Sequence, residues 1–341
     1  MKLAPAAGHP RNSEGDFVAL KDGRLLFVYS HFTGGGGDHD QAFLAGRYSS
    51  DGGRTWTDQD ETIVEREGDW NVMSVSLLRL KSGQIGLFYL RKNSLADCRA
   101  YLRISTDEAK TWSEPQLCIP EVGYYVLNND RAEQLTSGRI VLPVCLHANE
   151  GMKFDGAGTI LCYLSDDNGQ SWRRSKTAQQ AHKDGKRLVV QEPLVIELKD
   201  RRLMLLARSN EGSQLQSFSS DGGDTWSELV PSDIKSPLSP ASVERLPSGD
   251  LLLVWNDHAQ IDPALRGKRT PLTAAISTDD GKRWRHVQNL FDNPHGWYCY
   301  TAIEVVGDYV LLGHCAGDRR HNNGLAETHI TRIPIAWMYE K

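Results

Sequence analysis

The sequence predicts an all-β fold, a six-bladed β-propeller, on two observations that run in phase. An octapeptide of the form S-x-D-x-x-x-[TSR]-W occurs five times, and an apolar strand–turn–strand unit occurs six times. The octapeptides are SSDGGRTW (49–56), STDEAKTW (105–112), SDDNGQSW (165–172), SSDGGDTW (219–226) and STDDGKRW (277–284). Their first serines are 56, 60, 54 and 58 residues apart, so the period is close to 57.

The strand–turn–strand units are FVALKDGRLLFVY (17–29), LLRLKSGQIGLFY (77–89), AEQLTSGRIVLPV (132–144), LVIELKDRRLMLL (194–206), VERLPSGDLLLVW (243–255) and AIEVVGDYVLLGH (302–314). Val, Leu and Ile on both sides of a turn built on Gly or Asp are a β-hairpin signal. No capped helical periodicity competes with them. Each unit then holds a hairpin, a further strand and an octapeptide turn, or about four strands in about 57 residues, which is one blade. A single blade cannot bury both faces, so six close radially into one domain spanning 1–341. The sixth unit lacks the octapeptide. Its last strand is expected to come from the other terminus, with ITRIPIAWMY (330–339) as the apolar partner.

In the octapeptide, Asp can accept hydrogen bonds from the N–H groups of its own turn, Gly supplies positive φ, and Trp wedges into the core. This word staples blades. Chemistry must be sought elsewhere.

Composition bounds the rest. The chain has 341 residues, 39% hydrophobic and 24% charged, with net charge −5, so it carries no basic footprint for nucleic acid. No apolar run is long enough to span a membrane. The first residues, MKLAPAAGHPRNSEGD, hold no apolar signal segment, and the chain as written is expected in the cytoplasm. Cys98, Cys118, Cys145, Cys162, Cys299 and Cys315 form no C-x-x-C pair and read as small buried hydrophobes.

The repeated octapeptide resembles the Asp-box (BNR) repeat, and six such units resemble the sialidase, or neuraminidase, superfamily. Other propellers carry Asp boxes too, so the function has to rest on site residues. The resemblance implies a site at one mouth of the axis, where the inner strands begin. In QEPLVIELKDRRLMLLARS, Glu192 opens an inner strand and Arg208 follows the hairpin, as in sialidases. Arg11, in HPRNSEGD, stands where the first sialidase arginine is expected, without the usual R-I-P. Arg269, in KRTPLTAAISTDDG, stands where the third is expected, with Arg266 as a near competitor. Three planar guanidinium forks can hold one carboxylate and fix its orientation. Arg131 also starts an inner strand and is expected at the ligand.

The loop SHFTGGGGDHDQ offers Asp38 or Asp40 as the acid/base carboxyl, with Asp38 preferred and His39 as a neighbour. GWYCYTAIEVV offers Tyr300 as nucleophile, with Tyr298 two residues away as the alternative. The implied mechanism is glycoside hydrolysis of an acidic sugar or glycan. Tyr300 attacks, Glu192 takes its proton, Asp38 protonates the leaving oxygen, and no metal or organic cofactor is needed. Two other readings stay open: a polysaccharide lyase acting on uronates, with His147, His258 or His314 as base, and a glycan-binding propeller without catalysis.

Overall fold

The computed structural model describes residues 1–151 and 153–340. Unit one shows how a repeat folds. Arg11–Ala19, Leu25–Phe32, Ala42–Ser49 and Glu61–Val64 form a four-stranded antiparallel sheet in chain order, with Phe17 opposite Phe27 across the predicted hairpin. The first strand lies nearest the axis, and the octapeptide links the third strand to the fourth. Units four and five repeat the pattern. Their strands are Val190–Glu197, Leu203–Ser209, Ser213–Ser219 and Val230–Lys235, then Ser242–Arg245, Leu251–Trp255, Leu272–Ser277 and Arg285–Phe291.

Unit six takes its fourth strand from the N-terminus. Gly296–Val306, Tyr309–Asp318 and Thr328–Pro334 are completed by Lys2–Leu3, which pairs with His329 and Thr328. The expected closing strand 330–339 is shorter than the sequence suggested. It stops at Pro334, whose ring removes a ladder donor, and Ile335–Tyr339 turns as a 3-10 helix.

Units two and three depart from independent four-stranded blades. They share one nine-stranded sheet, because Gly123–Val126 pairs with both Asp97–Ser105 and Ile140–Asn149. The inner strand of unit three is therefore split, with Glu133–Gln134 as its second piece and residues 127–132 as an irregular bridge at the axis. A short hairpin, His182–Lys183 with Lys186–Arg187, is a further addition. The sheets remain consistent with six units.

The octapeptides lie against the preceding unit. A Cβ at Gly53 would stand 2.7 Å from Leu311 of unit six, and glycines 169, 223 and 281 face Leu102, Leu164 and Met204 of units two, three and four. Each Trp is half-buried on the core between units. Within the turn, Asp221 accepts from the Thr225 amide (2.9 Å) and hydroxyl (2.6 Å), and the Gly223 amide donates to Ser219. All six cysteines are buried and free, as expected.

The axis is not an open channel. Asn129 Nδ2 donates across it to the carbonyls of Gly15 (2.9 Å) and Tyr300 (3.0 Å). Arg131 Nη2 donates to the Ala241 carbonyl (2.9 Å), and the Ser242 hydroxyl donates to the Thr301 carbonyl (2.5 Å). These bonds tie units one, three, five and six to one another.

Candidate active site

The site begins with a backbone irregularity. Glu14, Ser74, Asp130, Glu192 and Tyr300 all have left-handed backbones, at φ between 49° and 58°. Each sits near the start of an inner strand. In units one, two, four and six the ladder register shifts there, between Ser13 and Asp16, Met73 and Ser76, Gln191 and Leu194, and Cys299 and Ala302. A bulge of this kind puts two residues opposite one and re-aims the side chain out of the normal alternation. A non-glycine residue in this region costs about 1–2 kcal/mol. Five in equivalent positions mark the mouth of the axis.

Two of the five meet across it. Tyr300 Oη donates to Glu192 Oε1 at 3.3 Å. Glu192 Oε2 pairs with Arg208 Nη1 at 2.7 Å, and that same nitrogen lies 3.5 Å from Tyr300 Oη. Arg208 is further held by the side-chain carbonyl of Gln191. The Arg269 guanidinium lies 5.2 Å from the centre of the Tyr300 ring and 5.3 Å from that of Trp297. Burial and the Glu192 carboxylate push the Tyr300 phenol above its ordinary pKa, against the pull of Arg269 and Arg208. The resting nucleophile candidate is thus a neutral phenol.

Arg11 connects to this group through Trp297: the two line one cavity, and the Arg269 guanidinium faces the same ring. Arg11 itself is 1% exposed. Its Nη1 donates to Asp38 Oδ1 (2.5 Å) and the Gly36 carbonyl (3.2 Å), its Nη2 to Glu14 (2.7 Å), and its Nε to Ser13 (2.8 Å). Burial would raise the Asp38 carboxyl, but Arg11 and Lys92 outweigh it and hold the group below its ordinary value.

Of the two loop carboxyls, Asp38 faces Arg11. Asp40 folds back and accepts from the Gly37 amide (2.7 Å), bracing its own turn. Of the two nearby arginines, Arg269 faces Tyr300, whereas Arg266 ends the exposed 3-10 turn Pro263–Leu265.

Two expectations need correcting. Tyr298, the alternative nucleophile, does not lie on one face of the strand with Tyr300, as residues two apart would. The bulge at 299–302 breaks the alternation, and the Tyr298 ring stacks on Phe291 at 5.6 Å and meets His314 at 6.3 Å. Arg131 does not open toward a ligand. It is buried beneath the mouth, with its fork committed to Ala241, Ser242 and the Asp130 carbonyl.

Of the three histidines, only His147 lies near the group, within the fields of Glu192 and Arg208. Its Nδ1 is engaged by the Asp155 carbonyl at 2.7 Å. His258 contacts the Lys268 and Thr270 carbonyls, and His314 is fully buried beside Cys315.

Sequence reading missed Glu14, Lys92 and Asn71. Glu14 is three residues from Arg11, and on a regular strand the two would point to opposite faces. Only the left-handed bulge makes them a pair. Lys92 and Asn71 reach Asp38 through its carbonyl, which no motif announces.

A family model described as a BNR repeat-like domain matches residues 35–312. The chain belongs to that family. Its relatives lie in the sialidase superfamily. A sialidase from Micromonospora viridifaciens is 26% identical over 340 residues, covering 88% of this chain and 48% of that protein. The chain thus spans about half the length of that curated relative. Among solved structures, the Hadza microbial sialidase Hz136 matches with TM-score 0.77 and 18% identity over 98% of this chain and 69% of that one. The intramolecular trans-sialidase from Ruminococcus gnavus, solved with oseltamivir carboxylate, matches with TM-score 0.75 and 16% identity over 99% and 97%. At these identities the structural likeness speaks for the propeller fold.

Proposed function

We propose that the chain 1–341 acts as one catalytic domain, a sialidase-like exo-glycosidase that releases a terminal carboxylated sugar from glycans. The observation that carries this is the Tyr300 hydroxyl donating to Glu192 between Arg208 and Arg269.

The chemistry follows from the substrate. A sugar with a carboxylate on its anomeric carbon repels an anionic nucleophile, whereas a neutral phenol approaches freely. Tyr300 attacks the anomeric carbon as its proton passes to Glu192 Oε1, and the aryl glycoside forms as the leaving oxygen takes a proton from Asp38. Asp38, now a carboxylate, takes a proton from water, the water oxygen displaces the phenolate, and Glu192 returns the proton to Tyr300. Arg11, Arg208 and Arg269 hold the substrate carboxylate and orient the ring. The positive charge of Arg208 and Arg269 beside Tyr300 also stabilises the developing phenolate.

The test is a product assay on a panel of α-linked sialosides and uronic acid glycosides. Release of free sialic acid with no unsaturated product is the expected result. An unsaturated product absorbing in the short-wavelength ultraviolet would replace this reading with a lyase. Binding without turnover would replace it with a glycan-binding module.

A further inference from the structure

The guanidinium assigned to the substrate carboxylate is already holding a carboxylate. Arg11 has five N–H donors, and four are used: by Ser13, Glu14, the Gly36 carbonyl and Asp38. One free N–H cannot form a two-pronged pair. An incoming carboxylate needs Asp38 to leave.

The loop is built to let it leave. Asp38 and Gly36 lie on the same glycine-rich segment, 34–37 followed by Asp38. The Asp38 side chain is 57% exposed although Arg11 is buried, and a Cβ at Gly36 would touch nothing within 4 Å. The main chain behind Asp38 is pinned instead. Its carbonyl accepts from Lys92 Nζ (3.1 Å) and Asn71 Nδ2 (3.1 Å), Asn71 also donates to the Asp40 carbonyl (2.7 Å), and Asp40 braces the Gly37 amide. Among the described residues, no hydrogen bond joins the Asp38 carboxyl to Tyr300 or Glu192.

We propose that Asp38 is a resident stand-in for the substrate carboxylate on Arg11, and that substrate binding displaces it and so releases it to act as the acid. The proposal rests on the functional reading above. In the exchange, Asp38 Oδ1 and the Gly36 carbonyl leave Arg11 Nη1, and the sugar carboxylate takes that nitrogen together with the unused N–H on Nη2. Asp38 then swings on the anchor formed by Lys92 and Asn71.

The electrostatics favour this order of events. At rest the carboxyl faces Arg11, Lys92, His39 and Glu14, and the two strong cations keep it ionised, which is the wrong state for an acid. Losing Arg11 removes the largest force holding it low, so its affinity for a proton rises when substrate is present. A neutral sugar cannot make the exchange and leaves the acid latched.

The experiment is calorimetric titration of free sialic acid into wild type, Asp38→Asn, Arg11→Lys and the double variant. Asp38→Asn exchanges the charged competitor for a weaker neutral acceptor and is expected to bind about tenfold more tightly than wild type. The gain is expected to shrink to less than about twofold in the Arg11→Lys background. No gain in Asp38→Asn, or an equal gain in both backgrounds, overturns it, because the effect would then be absent or mere charge repulsion. If neither wild type nor Asp38→Asn binds the sugar, the functional reading falls and the proposal with it.

Discussion

The rim and the axis of this molecule treat their carboxyl groups in opposite ways. At the rim, the octapeptide aspartates are wrapped by their own turns. Hydroxyls of Thr55 and Thr111, with the adjacent amides, hold Asp51 and Asp107 down at about 2, and the Arg283 side chain does the same for Asp279. Along the inner strands beyond the site, Asp16, Asp130, Glu133, Glu244 and Glu304 line a cavity of about 630 Å³ with Arg79 and Arg245 at its edge. Burial pushes the carboxyls of Asp130, Glu133 and Glu304 up to about 7, and it raises Asp16 and Glu244 as well. A local turn supplies donors to its own charge. Strands converging from six units instead supply walls, and the walls remove water faster than they add partners. Repetition therefore gives stability at the rim, and convergence gives perturbed chemistry at the axis.

The largest expected effect separates the two regions by function. Tyr300→Phe keeps the buried ring and removes one hydroxyl. Turnover of a sialoside is expected to fall by about 10³-fold or more, with the melting curve unchanged. Full activity in Tyr300→Phe would mean that the mouth does not work as proposed. The same assay on Tyr298→Phe should show near-normal turnover, since that ring packs on Phe291.

Next comes stability at the rim. Gly53→Ala puts a Cβ 2.7 Å from Leu311 at φ +81°, and is expected to destabilise by about 2–4 kcal/mol in denaturant titration. Asp221→Ala removes the acceptor that organises its turn and should lower the melting temperature by several degrees. Activity per folded molecule should be unchanged in both. A loss of turnover without loss of fold would show that the rim also serves the site.

The pH response should split by region. A carboxyl held low contributes stability that is lost as pH falls through its folded pKa, so the rim weakens between about pH 4 and 2. A carboxyl held high contributes stability at low pH that is lost as pH rises, so the axis weakens between about pH 4 and 7. Melting temperature should peak near pH 4–5. Glu133→Gln should flatten the decline toward neutral pH, and an unchanged decline would remove Glu133 as a contributor.

The smallest effect is expected at the one octapeptide that breaks the pattern. In STDEAKTW, Ala109 takes the glycine position at φ +63°, and Trp112 Nε1 lacks the partner that Gly223 gives Trp226. Ala109→Gly relieves strain and removes a buried methyl, so stability should move by less than about 1 kcal/mol. A larger shift would show that one of these two terms dominates.

What could be read from the residues follows the same division. The five octapeptides and six hairpins were legible because each is written within a dozen residues, and their hydrogen bonds close locally. Glu192, Tyr300, Asp38 and the three arginines could be placed at strand ends and one loop only because the sialidase resemblance and the phase of the repeat pointed to the same positions. Their contacts were not legible, because a left-handed bulge is not encoded by any glycine at Glu14, Glu192 or Tyr300.

The sequence by itself determined a repeating all-β chain, the turns that staple it and the strand ends that carry its ionisable groups. Alternating apolar residues and turn chemistry act over short range, so they need no tertiary context. Only the tertiary structure decided that Tyr298 turns away, that Arg131 ties the axis, that units two and three share one sheet, and that Asp38 rests on Arg11. Each of these depends on groups brought together from distant units, where burial, strain and the nearest available donor decide the geometry.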